Sequence, residues 1–326
     1  MIVSYALRLF CLCLAVSTLV HTAIGTAVAL LEPALVRAAE SLRPRRGARL
    51  LLAARLLPAA AAIFVVAVFC IPSYLWLETE TAGEEVGAAF LAAAALGVAL
   101  WGMGLLRAAR ALARSVRYSR LCRRAGCETS LPGEVAAVTA IETAQPVVAL
   151  IGILRPKLVI SRSVIDALSP EQLRVVLDHE HAHRRAHDNL KRLLVAAAPG
   201  LLPRLHKFAA LERAWRRMAE WAADDESAAD DALRSTALAA ALVRVARLGA
   251  PPRLNQVTAS FCGDADELAG RVERLLHPPV LAPERPPQTW ILTAAASVTV
   301  AASLAGVLLT PESLASAHQL FERVVH

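Results

Sequence analysis

Four stretches of this chain carry no Lys, Arg, Asp or Glu and are long enough to cross a lipid bilayer: Leu9–Leu31, Leu56–Leu77, Val86–Leu106 and Trp290–Thr310. The hydrocarbon core of a membrane takes about 20 helical residues to span, and no other run in the sequence qualifies. One such run alone reads equally well as a buried core helix. Four of them, in a chain of 326 residues that is 56% hydrophobic, with a mean hydropathy of +0.48, exceed what a soluble globular protein carries. The chain reads as a multi-pass membrane protein.

Charge then sets the expected orientation. Arg37, Arg43, Arg45, Arg46, Arg49 and Arg55 follow the first run. A secretory signal peptide keeps its positive end in the cytoplasm, so this order favours a retained span with its N-terminus outside. Glu78, Glu80, Glu84 and Glu85 lie between the second and third runs, and Arg107, Arg110, Arg114, Arg117, Arg120, Arg123 and Arg124 follow the third. By the positive-inside rule the Arg-rich loops are cytoplasmic. Tyr74, Trp76 and Trp290 stand near span ends, where interfacial aromatics are expected.

The net charge of +7 follows from this topology and from anionic headgroups. No basic surface interleaved with aromatics is visible, so direct nucleic-acid binding is not expected. Cys11, Cys13, Cys70, Cys122, Cys127 and Cys262 are scattered and form no disulfide framework; on a reducing side, free thiols are the expected state.

The plan that results has a membrane region over residues 1–106, a cytoplasmic domain over 107–289, a fourth span at 290–310 and an extracytoplasmic tail at 311–326. Both termini lie outside the cytoplasmic membrane. Within the insert, Pro146–Ser161 is rich in β-branched residues and broken by Gly152 and Pro156, which predicts two short strands or a hairpin. A helix follows: Ser169 is a good N-cap, Pro170 suits the first helical position, and Gln172 completes a capping box. Leu193–Pro203 is apolar but too short to span, and reads as core in preference to a segment lying on the membrane surface. A second helix is predicted over Leu211–Ser227 and a third over Ser235–Leu248.

Chemistry concentrates where the first of these helices continues. Residues 179–183, "HEHAH", fit H-E-x-x-H. On a helix His179 and His183 are one turn apart on one face, where two imidazoles can share one zinc ion. Glu180 is offset by about 100° and can reach a water on the open side of the metal, as general base. A third ligand is required. "EWAADD" supplies Glu220, with Asp224 one turn on, placed to accept a hydrogen bond from the distal nitrogen of a bound histidine. "ESAADD" repeats the pattern from Glu226, and spacing does not choose between them. His181 points away from His179. His187 reads as a solvated helix-end residue, Asp188 either as a partner to a ligand or as a helix-terminal residue, and His21 as a packed polar residue within a span.

The run "QPVVALIGILRPKLVISRSVIDALSPEQLRVVLDHEHAHRRAHD" resembles the BlaR/MecR-type membrane metallopeptidases, whose founding members are antirepressors of β-lactam resistance. The family shows a strand, a glycine, an Arg-Pro pair, Leu-Ser before the helix, and H-E-x-x-H with an aspartate five residues beyond its last histidine; Asp188 fills that place. Its later E-x-x-x-D element stands at a distance from the Ala/Leu-rich helix that suits Glu220 and Asp224, so the resemblance carries the third-ligand role to Glu220. It implies a mainly α membrane protein with a gluzincin-like α+β metallopeptidase domain inserted between spans three and four. It also implies one zinc ion per chain, and a strand beside the site that holds the substrate by backbone pairing, here Val147–Ile153. Founding members carry a penicillin-binding sensor after the fourth span. This sequence runs on only from Pro311 to His326, with no S-x-x-K acylation domain, so β-lactam sensing is not expected of it.

The function expected is a zinc endopeptidase, with Glu180 as base and His179, His183 and Glu220 as ligands. Its substrate is expected to be a cytoplasmic or membrane-proximal protein such as a transcriptional repressor. The alternatives are a Ste24/HtpX-like quality-control protease and a non-catalytic signalling protein with a structural metal. Oligomeric state is not legible.

Overall fold

A computed structural model describes residues 5–77, 87–129, 138–143, 145–200, 207–249, 259–260 and 265–278. Trp290–Thr310, the tail, the acids of the second loop and Cys262 lie outside the described residues.

The first two of the earlier runs are helical throughout and the third from Ala88 on, and the helices extend beyond them. α1 covers Tyr5–Glu40 and α2 Pro44–Val65; α2 continues through a π-helical turn, Val66–Cys70, into α3, Ile71–Leu77. α4 covers Ala88–Ala125. Three helices, Tyr5–Glu40, Pro44–Trp76 and Ala88–Arg124, are long and apolar enough to cross a membrane.

At 1.5 Å per residue α1 is about 54 Å long, well beyond a hydrocarbon core of about 30 Å. The surplus is used for packing. Near the α1–α2 connection, Val28, Ala39, Ala48, Leu51 and Ala54 form one buried cluster with Phe208, Leu211, Trp215 and Met218 of α8, Lys207–Ala228. At the far end of the helices a separate cluster joins Leu12, Val16, Cys70, Tyr74 and Phe90. Outward-facing Phe10, Leu57, Ile63, Phe64, Leu96, Val98 and Met103 remain exposed, as side chains that meet lipid do.

The rest is mostly helical with a small mixed sheet. Its strands are β1 Gly126–Thr129, β2 Val138–Ile141, β3 Val148–Ile151, β4 Lys157–Ser161 and β5 Ala259–Ser260. They are ordered β1-β2-β4-β3-β5, with β2 and β4 parallel and the other neighbours antiparallel. The predicted hairpin is β3–β4, with Val148 opposite Ile160 and Ile151 opposite Lys157. Gly152, at φ 110°, begins its turn in a conformation that a side chain would strain. Every residue of β2 and β3 is buried, which is why these strands show no polar alternation in the sequence.

Helices α5 Arg162–Ala167, α6 Pro170–Ala186, α7 Asp188–Ala197, α9 Ala232–Arg247 and α10 Ala265–Leu276 complete the described fold. α6 begins as its sequence predicts. Ser169 accepts from the Gln172 N–H, and the Gln172 side chain accepts from the Ser169 N–H. Asp231 caps α9 through the N–H groups of Leu233 and Arg234. The core joins Val148, Leu150 and Ile160 of the sheet to Leu173, Val176 and Leu177 of α6 and to Leu238 and Leu242 of α9. The predicted second helix is α8, four residues longer at its start. Of Leu193–Pro203, residues 201–203 lie outside the described residues. The remainder, with Val195, Ala198 and Pro199 buried, packs against the spans.

One expectation from the resemblance needs correction. Val147–Ile153 is not a free edge, because Ala149 and Leu150 of β3 pair with Ser260 and Ala259 of β5. A substrate strand paired there would have to displace β5.

Candidate metal centre

Periodicity puts Leu173, Val176, Leu177 and Glu180 on the buried face of α6, and His179 and His183 on the flank that meets α8. His179 and Glu180 are fully buried and His183 nearly so. α8 packs along α6 and brings Glu220 against both rings. Nε2 of His179 lies 3.2 Å from Nε2 of His183. Oε2 of Glu220 lies 3.6 Å from the first and 3.5 Å from the second.

The size of this triangle tests whether a metal fits. Zinc bonds of about 2.0–2.1 Å at tetrahedral angles set ligand atoms about 3.4 Å apart, which is the spacing found. Glu180 gives a second indication. Both its carboxylate oxygens are buried without a hydrogen-bond partner among the described residues. Such an arrangement costs free energy unless it serves a reacting group.

Each ring is held from behind. Asp188 Oδ2 accepts from His183 Nδ1 at 2.7 Å, and Asp224 Oδ1 lies 3.0 Å from His179 Nδ1. With Nδ1 facing a carboxylate, the lone pair of each Nε2 faces the centre. His187 makes the first contact possible. It adopts the left-handed conformation, φ 55°, as the last cap of α6 and the first of α7, and turns the chain so that Asp188 points back at His183.

The sequence did not reveal two further groups. Arg271 of α10, 1% exposed, donates to both oxygens of Asp224, at 2.8 and 2.6 Å, and its Nη1 lies 3.3 Å from Glu220 Oε2. Arg192 of α7 donates to Glu220 Oε1 at 3.2 Å. A signal for Arg271 existed: Leu268, Arg271, Val272 and Leu275 share one helical stripe, and a cation within an apolar stripe implies a buried anion.

The same field separates the two glutamates. Burial pushes the Glu180 carboxyl up, only partly opposed by the imidazoles of His183 and His179. Burial also acts on Glu220, but His183, His179 and Arg271 outweigh it and hold that carboxyl well below the usual range. Two carboxyl groups pushed apart in this way suit one as an ionised ligand and the other as a proton carrier.

Other residues singled out in the sequence lie elsewhere. Glu226 pairs with Arg185 at 2.7 Å and Arg45 at 4.0 Å, partly exposed and away from the triangle. His187 is exposed at the helix end and His181 half-buried, neither in the triangle. His21 is buried in α1, with Nε2 3.3 Å from the Gly200 carbonyl.

Among the described residues, His179, His183 and Glu220 form the one group of histidine, cysteine and acidic side chains arranged to hold a metal ion, and the segment around them is similar to a known family. Residues 113–272 match Peptidase family M48. The match runs from within the last turns of α4 to Val272 and takes in the triangle, Glu180, both aspartates and Arg271. M48 peptidases typically use zinc, and three helices long and apolar enough to cross a membrane accompany the matched segment here, an arrangement that suggests a membrane metallopeptidase. The match names M48 and not the BlaR/MecR type. A comparison with curated proteins found no match.

Proposed function

We propose that the chain is a membrane-anchored zinc endopeptidase in which His179, His183 and Glu220 hold one zinc ion and Glu180 is the general base. The observation that carries this reading is the near-equilateral triangle of ligand atoms beside a fully buried carboxylate with no hydrogen-bond partner among the described residues. When bound, zinc supplies Lewis acidity, lowering the pKa of a water and polarising the scissile carbonyl.

The rest is the work of the chain's own side chains. Glu180 takes a proton from the attacking water on its carboxylate and returns it to the leaving amide nitrogen. Asp188 and Asp224 fix the ring orientations of His183 and His179. Arg271 compensates the charge of Asp224 and Glu220 in a site closed to solvent, where an unpaired carboxylate would be costly.

The peptidase domain faces the cytoplasm, because the Arg-rich segments at the α1–α2 connection and after the third apolar run belong on that side. Its substrate is a cytoplasmic or membrane-proximal protein. The likeness to antirepressors favours a transcriptional repressor, cleaved in regulation, over damaged membrane proteins removed in quality control.

Quantitative proteomics of cells carrying the wild-type chain or Glu180→Ala tests this reading. Accumulation of one or a few intact cytoplasmic proteins in the variant is expected. Accumulation of many membrane proteins would replace regulation with quality control. Identical proteomes, with metal still bound, would favour a non-catalytic role.

A further inference from the structure

The ten residues of α7, with the three that follow them, touch both the metal centre and the three apolar helices α1, α2 and α4. At its N-terminal end, Asp188 holds His183 at 2.7 Å. Asn189, buried, donates its amide to the carbonyls of Leu150 and Gly152 at 2.9 and 2.7 Å, fixing the end of β3. One turn on, Arg192 reaches Glu220. One short helix therefore contacts two proposed ligands and the strand beside them.

Its other end is held from the membrane side. The last carbonyls of a helix have no partner within it and attract cations. Here the donors come from the spans. Arg55 of α2, 3% exposed, donates Nη2 to Val195 and Ala198 at 3.3 Å each and Nη1 to Pro199 at 3.4 Å. Arg107 of α4 donates to Ala198 at 3.2 Å, and His21 of α1 stands at the Gly200 carbonyl. Gly104 of α4 lies so close that a Cβ there would come within 2.2 Å of the Ala197 carbonyl oxygen.

Arg55 carries most of this contact. Its Nε pairs with Glu212 of α8 at 2.8 Å, and its guanidinium lies 4.7 Å from the centre of the Phe208 ring. A guanidinium at the edge of a membrane stays buried only when its donors are satisfied, and here they are satisfied largely by the end of α7.

We propose that Arg55 is a positioning residue for the metal centre, acting through α7, so that the arrangement of the spans sets the geometry of His183 and Glu220. This rests on the metallopeptidase reading above. A shift of α1, α2 or α4 moves the helix that orients one ligand and pairs with another, and misplacement by about 1 Å is enough to cost catalysis about 100-fold.

The test uses the full chain in lipid nanodiscs, with Co2+ as probe. Cobalt affinity and the visible d–d spectrum are measured for wild type, Arg55→Met, Arg55→Lys and Gly104→Ala, together with kcat and KM on a peptide pool. Tryptophan fluorescence serves as the check on folding. Arg55→Met and Gly104→Ala are expected to weaken cobalt binding about tenfold or more, to alter the spectrum, and to lower kcat with KM nearly unchanged. Arg55→Lys, which keeps the charge with fewer donors, should fall between. Wild-type cobalt affinity, spectrum and kcat in the folded Met and Ala variants would overturn the proposal. If Arg55→Met does not fold, Gly104→Ala decides, since it perturbs α7 without removing a charge. A wild-type chain that binds no cobalt would instead end the metal reading itself.

Discussion

Asp188 accepts a hydrogen bond from Nδ1 of His183 at 2.7 Å, across the left-handed turn at His187. Burial pushes the Asp188 carboxyl up, but the bond to and charge of His183, together with Lys191, outweigh this and hold it below the ordinary range, so an ionised acceptor faces the ring. Asp188→Ala should therefore weaken zinc binding about 10- to 100-fold, measured by competition with a chromogenic chelator. Unchanged affinity would reduce Asp188 to a helix-start residue.

Arg271 is buried against Asp224 and Glu220. Removing one partner of a buried ion pair leaves the other charge uncompensated, so Arg271→Met should destabilise the domain by roughly 3–5 kcal/mol. The check is the thermal or denaturant midpoint in a fixed lipid environment. A loss below about 1 kcal/mol, as for an exposed pair, would contradict the role given to it.

Acid sensitivity follows from the same pair. Burial would raise the Asp224 carboxyl, but Arg271 and His179 hold it at about 2, against an ordinary 3.8. A depressed carboxyl contributes stability that is fully present above its unfolded value and lost as pH falls through its folded one. Asp224 thus stabilises the fold above about pH 4 and ceases to between there and about pH 2. Fluorescence of Trp215 and Trp221 on α8 should report acid unfolding, with Asp224→Asn flatter than wild type across that window.

The N-terminus of α6 offers a local test. Ser169 and Gln172 satisfy each other's backbone N–H groups, and Ser169→Ala should cost about 1 kcal/mol. Amide hydrogen exchange should show faster opening over the first turn of α6, with little change at His179 and beyond.

How much of this was legible in the sequence depends on the range of the interaction. Apolar runs, the capping box and the i, i+4 histidines are local patterns; the structure forms helices over the described parts of the first three runs, extending beyond them, and starts α6 at the expected cap. Glu220 and Glu226 look alike along the chain because both belong to acidic stretches of α8; packing separates them, turning Glu220 towards the buried rings of His179 and His183 and Glu226 towards Arg185 at the exposed end of α6. Arg271 and Arg192 act across long sequence distances, where spacing carries no information. In the sequence Arg55 reads only as a positive charge at a span end. Its three backbone acceptors come from Val195, Ala198 and Pro199, in a segment that the sequence gives as merely apolar. The extension of α1 and α2 beyond their apolar runs is likewise invisible until Phe208, Leu211 and Trp215 are seen to cover them.

The most direct measurement is peptide hydrolysis by zinc-loaded Glu180→Gln in nanodiscs, with metal content determined on the same sample. One zinc per chain, with hydrolysis reduced at least about 100-fold, is predicted if Glu180 is the general base. Hydrolysis at the wild-type rate by that variant, or a wild-type chain that retains no zinc, would contradict the account.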